Sequence, residues 1–230
     1  LSSIATKLAS SVQAGENFQG EILDIPVSHG HLEAVLRGPR GPVRAAAIVC
    51  HPHPLQGGTM NTKAVFRVAQ AMAEINIVAL RFNFRGVGSS TGTYDAGAGE
   101  RQDAKTALDW LEERCPKVPL IASGFSFGSM VALKTGLSDP RVKVLFGFGV
   151  PVRLYDYSFL AGTVKPTLLV QGSQDEFGTG DELKKATESF GSGVTVATVE
   201  GADHYFNGAI DGLKKAVTSY FIKGAGGEVL

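Results

Sequence analysis

Residues 119–133 constrain the fold more than any other stretch of this chain. A short apolar run rich in strand-forming residues ends at Gly124, Ser126 follows two residues later, and helical spacing of apolar residues begins at Phe127. This pattern predicts a strand, a sharp turn and a helix. Gly124 and Gly128 flank the serine as G-x-S-x-G, which suits a turn where a Cβ would collide with the neighbouring backbone. The pattern therefore predicts a Ser126 hydroxyl held above the end of a sheet.

Length and composition exclude several classes of protein. The chain has 230 residues, 43% of them hydrophobic, which is enough for one domain with a large core. Its 22 basic and 22 acidic side chains balance, and no long run of one sign favours nucleic acid as a partner. No apolar run approaches the roughly 20 residues of a membrane helix. The two cysteines, Cys50 and Cys115, are too few for a disulfide framework, so we expect a protein of the cytoplasm.

The order of predicted elements indicates one α/β domain over residues 20–223. A hairpin opens it, and apolar strand segments then alternate with helical segments, which predicts a mostly parallel sheet with helices on both faces. No linker or repeat divides the domain. The eight predicted strands cover residues 20–27, 30–37, 45–50, 77–82, 119–124, 142–150, 166–171 and 194–199.

The two ends and two helix boundaries are also predicted. Residues 1–19 are expected to form an N-terminal tail or weakly docked helix, and residues 224–230 a disordered C-terminal tail. Asn61 is a residue type that caps helices, so we expect it to begin the helix that follows. The last helix is predicted over residues 207–222.

Two loops that follow predicted strands carry the groups that a serine nucleophile needs. Asp175 follows the seventh strand and His204 follows the eighth, and the carboxyl ends of parallel strands meet at one edge of a sheet. A neutral imidazole can accept the serine proton, and a carboxylate can orient and stabilise the resulting imidazolium. Ser126, Asp175 and His204 are thus predicted as a catalytic triad. The rival acids are Glu176, Asp181 and Asp203.

Five motifs extend over nearly the whole chain after residue 20. They are His51-Pro-His-Pro-Leu-Gln-Gly-Gly-Thr-Met-Asn61, Leu80-Arg-Phe-Asn-Phe-Arg-Gly-Val-Gly88, Gly124-Phe-Ser-Phe-Gly128, Gly172-Ser-Gln-Asp175 and Gly201-Ala-Asp-His204. In these motifs the chain resembles the α/β-hydrolase superfamily, in particular its small, lidless branch of serine esterases related to dienelactone hydrolases. This resemblance implies an eight-stranded sheet with an antiparallel second strand, with Ser126 as nucleophile, Asp175 as acid and His204 as base. Dienelactone hydrolases carry a cysteine at the elbow where this chain has serine, so their particular substrate is not expected for this chain.

Two backbone amides are predicted to form an oxyanion hole. The Phe127 amide lies at a helix N-terminus beside the nucleophile. By analogy with the superfamily, the loop after the third strand supplies the second donor, and since Pro52 and Pro54 lack an N–H, the amide of His53 is preferred over that of Leu55. No cofactor is required. A metal held by His51 and His53 is disfavoured, because no further ligands lie nearby in the sequence.

The predicted substrate is a small ester. Residues 151–165, where many α/β hydrolases insert a cap, form only a short loop, so short acyl chains should fit best. The expected pocket residues are Leu55, Phe125, Tyr155, Tyr157 and Phe159. We predict a carboxylesterase that works through an acyl-enzyme.

Other functions stay open at this point. A thioesterase or small peptidase would use the same triad, and a non-catalytic binding protein would keep the same fold. A nucleotide-binding domain is a weaker alternative, because Gly86-x-Gly88 is only a fragment of a dinucleotide motif.

Overall fold

The computed structural model describes residues 20–39 and 41–230, so the predicted tail or helix over residues 1–19 lies outside the described residues. The described chain forms one sheet of eight strands, and all eight correspond to predicted strands. Their bounds are β1 Glu21–Val27, β2 Gly30–Arg37, β3 Ala45–Cys50, β4 Ile77–Phe82, β5 Leu120–Phe125, β6 Val142–Phe148, β7 Thr167–Gly172 and β8 Val194–Val199.

The strand order is β1-β2-β4-β3-β5-β6-β7-β8. Strand β2 runs antiparallel to β1 and to β4, and the remaining neighbours are parallel. The prediction of a mostly parallel sheet with an antiparallel second strand is confirmed. Every residue of β3, β4, β5 and β7 is buried, as expected for strands covered on both faces.

Helices cover both faces of the sheet. The helix bounds are α1 Lys63–Glu74, α2 Ala98–Arg114, α3 Phe127–Ser138, α4 Gly180–Thr187, α5 Ile210–Lys223 and α6 Ala225–Glu228. Helices α1 and α5 pack on one face, and helices α2, α3 and α4 pack on the other. Between β6 and β7 the chain makes only one short 3₁₀ turn, Ser158–Leu160, so no cap domain covers the sheet edge.

The predicted start of α1 is wrong by one residue. Thr62, not Asn61, occupies the N-cap position of this helix. The Asn61 side chain instead accepts a hydrogen bond from the guanidinium of Arg81 at 3.1 Å. The Asn61 side chain, which local propensity would place at the helix end, therefore makes a tertiary contact instead.

The C-terminal region also differs from prediction. The last predicted helix, α5, begins at Ile210 rather than Asn207, because Asp203 accepts hydrogen bonds from both the backbone and the side chain of Asn207 at 2.8 Å. The predicted disordered tail over residues 224–230 contains helix α6. This turn packs back on the chain, with Gly226 buried against the ring of Tyr220, where a side chain would not fit.

Candidate active site

The turn between β5 and α3 holds Ser126 in an unusual backbone conformation. Ser126 has φ 55° and ψ −124°, outside the regions that side chains favour. A Cβ on Gly124 would lie within 3.0 Å of the Gly128 carbonyl oxygen, and one on Gly128 would lie within 3.0 Å of the His51 carbonyl oxygen. The predicted reason for both glycines is therefore confirmed, since strand, turn and helix leave no room for side chains.

The three predicted triad residues lie within hydrogen-bonding distance in the expected sequence. His204 Nδ1 lies 2.8 Å from Asp175 Oδ2, and His204 Nε2 lies 3.0 Å from Ser126 Oγ. An ionised carboxylate only accepts hydrogen bonds, so His204 carries its proton on Nδ1 and presents a free Nε2 lone pair to the serine. Asp175 and His204 are almost completely buried. The geometry suits proton transfer from Ser126 to His204.

The Asp175 carboxylate is held by its own loop and strand. Its Oδ1 accepts a hydrogen bond from the Phe177 amide at 2.8 Å, and its Oδ2 accepts one from the Gln171 side chain at 2.9 Å. The same Gln171 also accepts from the Val150 amide, which ties the end of β6 to the acid. Because Phe177 and Gln171 each fix one oxygen of Asp175, its orientation toward His204 needs no rearrangement.

The rival acids occupy other roles. The Asp203 carboxylate is engaged by Asn207 in its own loop, as described above. Asp181 lies in the first turn of α4 and pairs with Lys184, and Glu176 is exposed to solvent. The geometry therefore selects Asp175.

Aromatic rings surround the His204 imidazole. The Phe125 ring stacks on it at 5.0 Å between centroids, while Phe177 and Tyr205 present their edges at 4.6 and 5.2 Å. Phe125 is completely buried and also stacks on Phe148, so it supports His204 from behind. The prediction that Phe125 lines a substrate pocket is not met, because the last residue of a central strand faces the core.

The two predicted oxyanion donors lie on the open side of Ser126. Phe127 is the first residue of α3 and His53 follows β3; within the described part of the chain, neither backbone N–H has a hydrogen-bond partner. Both residues line the same small cavity as Ser126 and His204. The alternative donor, the Leu55 amide, is engaged, since it donates to His53 Nδ1 at 3.2 Å.

His51 connects the loop after β3 to the chain after β4. Its Nδ1 donates to the Pro52 carbonyl at 2.6 Å, and its Nε2 accepts from the Phe84 amide at 3.0 Å. Burial lowers the pKa of His51 to about 4. Both ring nitrogens are occupied by backbone groups, so His51 holds structure together and offers no lone pair to a metal.

The cavity above Ser126 is small, about 40 Å³. Of the predicted pocket residues, Tyr155 lines it. Leu55 points away from it and is 72% exposed. The lining residues are Pro52, His53, Gln56, Ser126, Phe127, Leu154, Tyr155, Phe177, His204 and Tyr205.

Tyr157 and Phe159 are placed differently from the prediction. Tyr157 is buried, with its hydroxyl 2.8 Å from the Ser129 hydroxyl in the first turn of α3. Phe159 packs against Tyr157 and lies under the Lys134 ammonium, at 5.1 Å from its ring centroid. The segment after β6 therefore turns these two rings onto α3, away from the cavity.

Sequence reasoning missed several residues at the site. Phe177 and Tyr205 are apolar neighbours of Asp175 and His204, and proximity in sequence was the available signal for them. No feature of the sequence favours Gln56 over the predicted Leu55 as a lining residue, and none adds Leu154 to the predicted Tyr155. Leu55 and Gln56 are both exposed, so only the path of the folded loop determines which of the two side chains lines the cavity.

A larger cavity lies elsewhere. It measures about 550 Å³ and lies between α2 and α3, lined by residues such as Gln102, Lys105, Thr135 and Arg141. None of the triad residues reaches it. The chemistry places the candidate active site at the smaller cavity.

Comparison with known proteins agrees with this fold. The family described as alpha/beta hydrolase domain matches residues 46–215. A solved structure of an alpha-beta serine hydrolase homologue from Coxiella burnetii is 36% identical, with a TM-score of 0.81 over 86% of this chain and 95% of that one. A serine hydrolase without a lid from Xanthomonas campestris is 29% identical, with a TM-score of 0.80 over 89% of this chain and 94% of that one.

A curated relative adds sequence similarity. An uncharacterized protein of Rickettsia prowazekii (strain Madrid E) is 33% identical in an alignment of 202 residues, which covers 84% of this chain and 85% of the relative. The chain belongs to the α/β hydrolase family, in its small branch of lidless serine hydrolases. Within residues 20–39 and 41–230, no helix is both long and apolar enough to span a membrane.

Proposed function

We propose that this protein is a carboxylesterase that cleaves short-chain acyl esters through an acyl-enzyme. The observation that carries the proposal is the hydrogen-bonded series from Asp175 through His204 to the Ser126 hydroxyl. The hydroxyl opens on a cavity lined by two residues whose backbone N–H groups are unpaired within the described chain. Membership of the α/β hydrolase family supports hydrolysis as the reaction class.

In the proposed mechanism, Ser126 Oγ attacks the acyl carbon while His204 Nε2 accepts the serine proton. The imidazolium is stabilised by Asp175, and the negative oxygen of the tetrahedral intermediate accepts hydrogen bonds from the Phe127 and His53 amides. When the intermediate collapses, the alcohol leaves with the proton from His204. Water then repeats the sequence on the acyl-enzyme and releases the carboxylic acid. No cofactor takes part.

The size of the cavity supports a short acyl group. A volume of about 40 Å³ is little more than the share of one water molecule in the liquid, about 30 Å³. The aromatic rings of Tyr155, Phe177 and Tyr205 line this volume, and the rest of the ester would extend into solvent because no cap domain covers the sheet edge.

We also propose that the protein acts in the cytoplasm. Both cysteines are free thiols, and Cys50 is buried at the end of β3. Burial raises the pKa of the Cys50 thiol, which keeps it in its neutral form.

Labelling and turnover test the function together. The wild type and Ser126→Ala are treated with a fluorophosphonate probe and assayed with p-nitrophenyl esters from acetate to octanoate. We expect labelling of the wild type alone, fastest turnover of the shortest esters, and a fall in kcat of about 10⁶ in the variant. Ser138→Ala, at the far end of α3, is the matched control and should keep full activity.

Substrate class is tested with the same preparations. Acyl thioesters and acyl anilides of equal chain length separate an esterase from a thioesterase or a peptidase. If the wild type neither reacts with the probe nor hydrolyses any ester, the proposed function is wrong. Faster turnover of thioesters or anilides than of the matched ester would change the substrate class and leave the triad in place.

A further inference from the structure

Tyr94 contacts both residues that flank the proposed oxyanion hole. It belongs to the long loop between β4 and α2. Its hydroxyl lies 3.1 Å from His53 Nε2, and its ring centroid lies 5.0 Å from that of His53. The Tyr94 ring also lies 6.0 Å from the ring of Phe127. Tyr94 and His53 are 41 positions apart in the chain, so this contact is a product of the fold.

The direction of the Tyr94 hydrogen bond follows from the second nitrogen of His53. A backbone N–H can only donate, and the Leu55 N–H points at His53 Nδ1 at 3.2 Å. Nδ1 therefore carries no proton, and the neutral ring has its proton on Nε2. His53 Nε2–H donates to the Tyr94 hydroxyl oxygen. The imidazole is thus fixed at both nitrogens, one by its own loop and the other by Tyr94.

The loop that carries Tyr94 is itself anchored to α2. The Glu100 carboxylate is completely buried and accepts hydrogen bonds from the amides of Asp95 and Gly97, at 2.9 and 2.7 Å. Earlier in the loop, the Arg85 guanidinium pairs with the buried carboxylate of Asp103 at 2.7 Å. Because a helix holds the loop on both sides of Tyr94, its hydroxyl occupies a defined position.

We propose that Tyr94 is a positioning residue, which fixes the His53 side chain and through it the His53 backbone N–H that donates to the oxyanion. This inference rests on the proposed function. The His53 amide is on the same residue as the ring that Tyr94 holds, and Pro52 and Pro54 restrict the backbone on both sides of it. Without the Tyr94 hydroxyl, the ring keeps only its hydrogen bond with the Leu55 amide, so the ring and the N–H of the same residue are held less rigidly.

Tyr94→Phe tests the proposal, because it removes one oxygen and keeps the ring. A neutral hydrogen bond is worth up to about a factor of ten. We expect kcat for p-nitrophenyl acetate to fall about tenfold while KM and the melting temperature stay unchanged. Inhibition by an alkylboronic acid, which forms a tetrahedral adduct with Ser126, should weaken by the same factor as kcat. A purely structural role for Tyr94 would lower the melting temperature and leave both kcat and the strength of boronic acid inhibition equal to those of the wild type.

A double-mutant cycle tests whether Tyr94 acts through His53. In His53→Asn, the new side-chain oxygen can still accept from the Leu55 amide, but it is too short to reach Tyr94. We expect this variant to lose about as much kcat as Tyr94→Phe, and the double variant to lose no more than either. Losses that multiply in the double variant would overturn the proposal.

Controls separate this proposal from the proposed function. Tyr220→Phe, a matched change on α5 far from the site, should leave kcat unchanged. If the wild type turns over esters and Tyr94→Phe keeps full kcat, the positioning role is wrong and the esterase stands. If the wild type shows neither labelling nor turnover, the esterase itself is wrong.

Discussion

The two sides of the Ser126 hydroxyl are built in opposite ways. The elbow from β5 into α3 is held by backbone packed on backbone, with glycine at the two closest approaches. The loop after β3, which carries His53, makes its own backbone turn at His53 and Gly58, and side chains hold this turn to the rest of the molecule. Met60 in this loop donates its amide to Asn83 at 2.8 Å and receives a hydrogen bond from Arg81 on its carbonyl at 2.6 Å. Two further hydrogen bonds hold this region. His51 accepts one from the Phe84 amide, and His53 donates one to the Tyr94 hydroxyl.

This difference determines how each side should respond to substitution. A backbone packed against another backbone has no rotamer with which to relieve a clash, so an added methyl group must displace the strand or the helix. A loop held by several side-chain hydrogen bonds loses one bond at a time. The elbow should therefore fail completely, and the loop should weaken in steps.

The largest expected effect comes from adding one carbon to the elbow. Gly128→Ala should lower the free energy of unfolding by more than about 4 kcal/mol or prevent folding, because its Cβ meets the His51 carbonyl. Gly57→Ala makes the same change in the other region. Its φ is 76° and no atom lies within 4 Å of the added Cβ. Only the strained backbone conformation therefore lowers the free energy of unfolding, by about 1 kcal/mol.

Urea denaturation of both glycine variants measures this contrast. Equal losses of stability in Gly128→Ala and Gly57→Ala would contradict the comparison, because the backbone contact would then carry no special weight. Soluble, active Gly128→Ala enzyme would contradict it more directly.

The next effect is a dependence of stability on pH that originates in His51. Burial holds its folded pKa near 4, and protonation of Nε2 would also place a donor against the Phe84 N–H. The unfolded chain, with an ordinary histidine pKa near 6.5, binds a proton as the pH falls, while the folded chain does not. Stability should therefore decrease by about 3 kcal/mol between pH 6.5 and pH 4 on account of this residue.

His51→Gln provides the comparison for the pH effect. We expect its unfolding free energy to vary less with pH over this range than that of the wild type, whatever its absolute stability at pH 7. Parallel curves for the two proteins, measured by urea denaturation at each pH, would show that His51 is not the source.

A smaller loss is expected when a single support of the His53 loop is removed. Asn83→Ala leaves the buried Met60 amide without its acceptor, which should cost about 2 kcal/mol of stability. The exposed Asn207 is a matched control, and Asn207→Ala should cost less than about 0.5 kcal/mol. Thermal unfolding of the two variants checks the order, and a larger loss for Asn207→Ala would reverse it.

The smallest effect should be the difference in stability between two substitutions of Ser126. Ser126→Gly and Ser126→Ala both remove the hydroxyl, but only glycine is at ease at φ 55°. Strain at such positions costs on the order of 1–3 kcal/mol. Glycine removes this strain, but it also raises the conformational entropy of the unfolded chain, which offsets part of the gain in stability. Ser126→Gly should be about 1 kcal/mol more stable than Ser126→Ala by urea denaturation. A less stable glycine variant would mean that Ser126 is not strained.

Much of the fold could be predicted because each buried strand is a continuous apolar run. The run at residues 45–50 ends where β3 ends, and the elbow motif locates β5 and α3. Asp175 and His204 were found because parallel strands present their carboxyl ends at one edge. Where a local rule competed with a long-range contact, as at Asn61, the long-range contact decided.

The walls of the cavity were beyond prediction for a different reason. Tyr155 and Tyr157 are two residues apart in the same loop, yet one lines the cavity and the other is buried on α3. Their residue type and sequence context are alike, so only the path of the folded loop separates them. The role of Tyr94 was hidden in the same way, because its partner His53 is 41 positions away in the chain.

The cavity wall has a consequence for how this family diversifies. Gln56, Leu154, Phe177 and Tyr205 each come from a different loop, after β3, β6, β7 and β8. None of these four side chains supplies a predicted catalytic group. Gln56 and Leu154 line the cavity and come from loops that carry none of the triad residues, so mutations there can alter which substrate is accepted while the contacts of His204 and Asp175 are kept. Such a site can change its substrate preference one mutation at a time, and the protein stays active after each mutation.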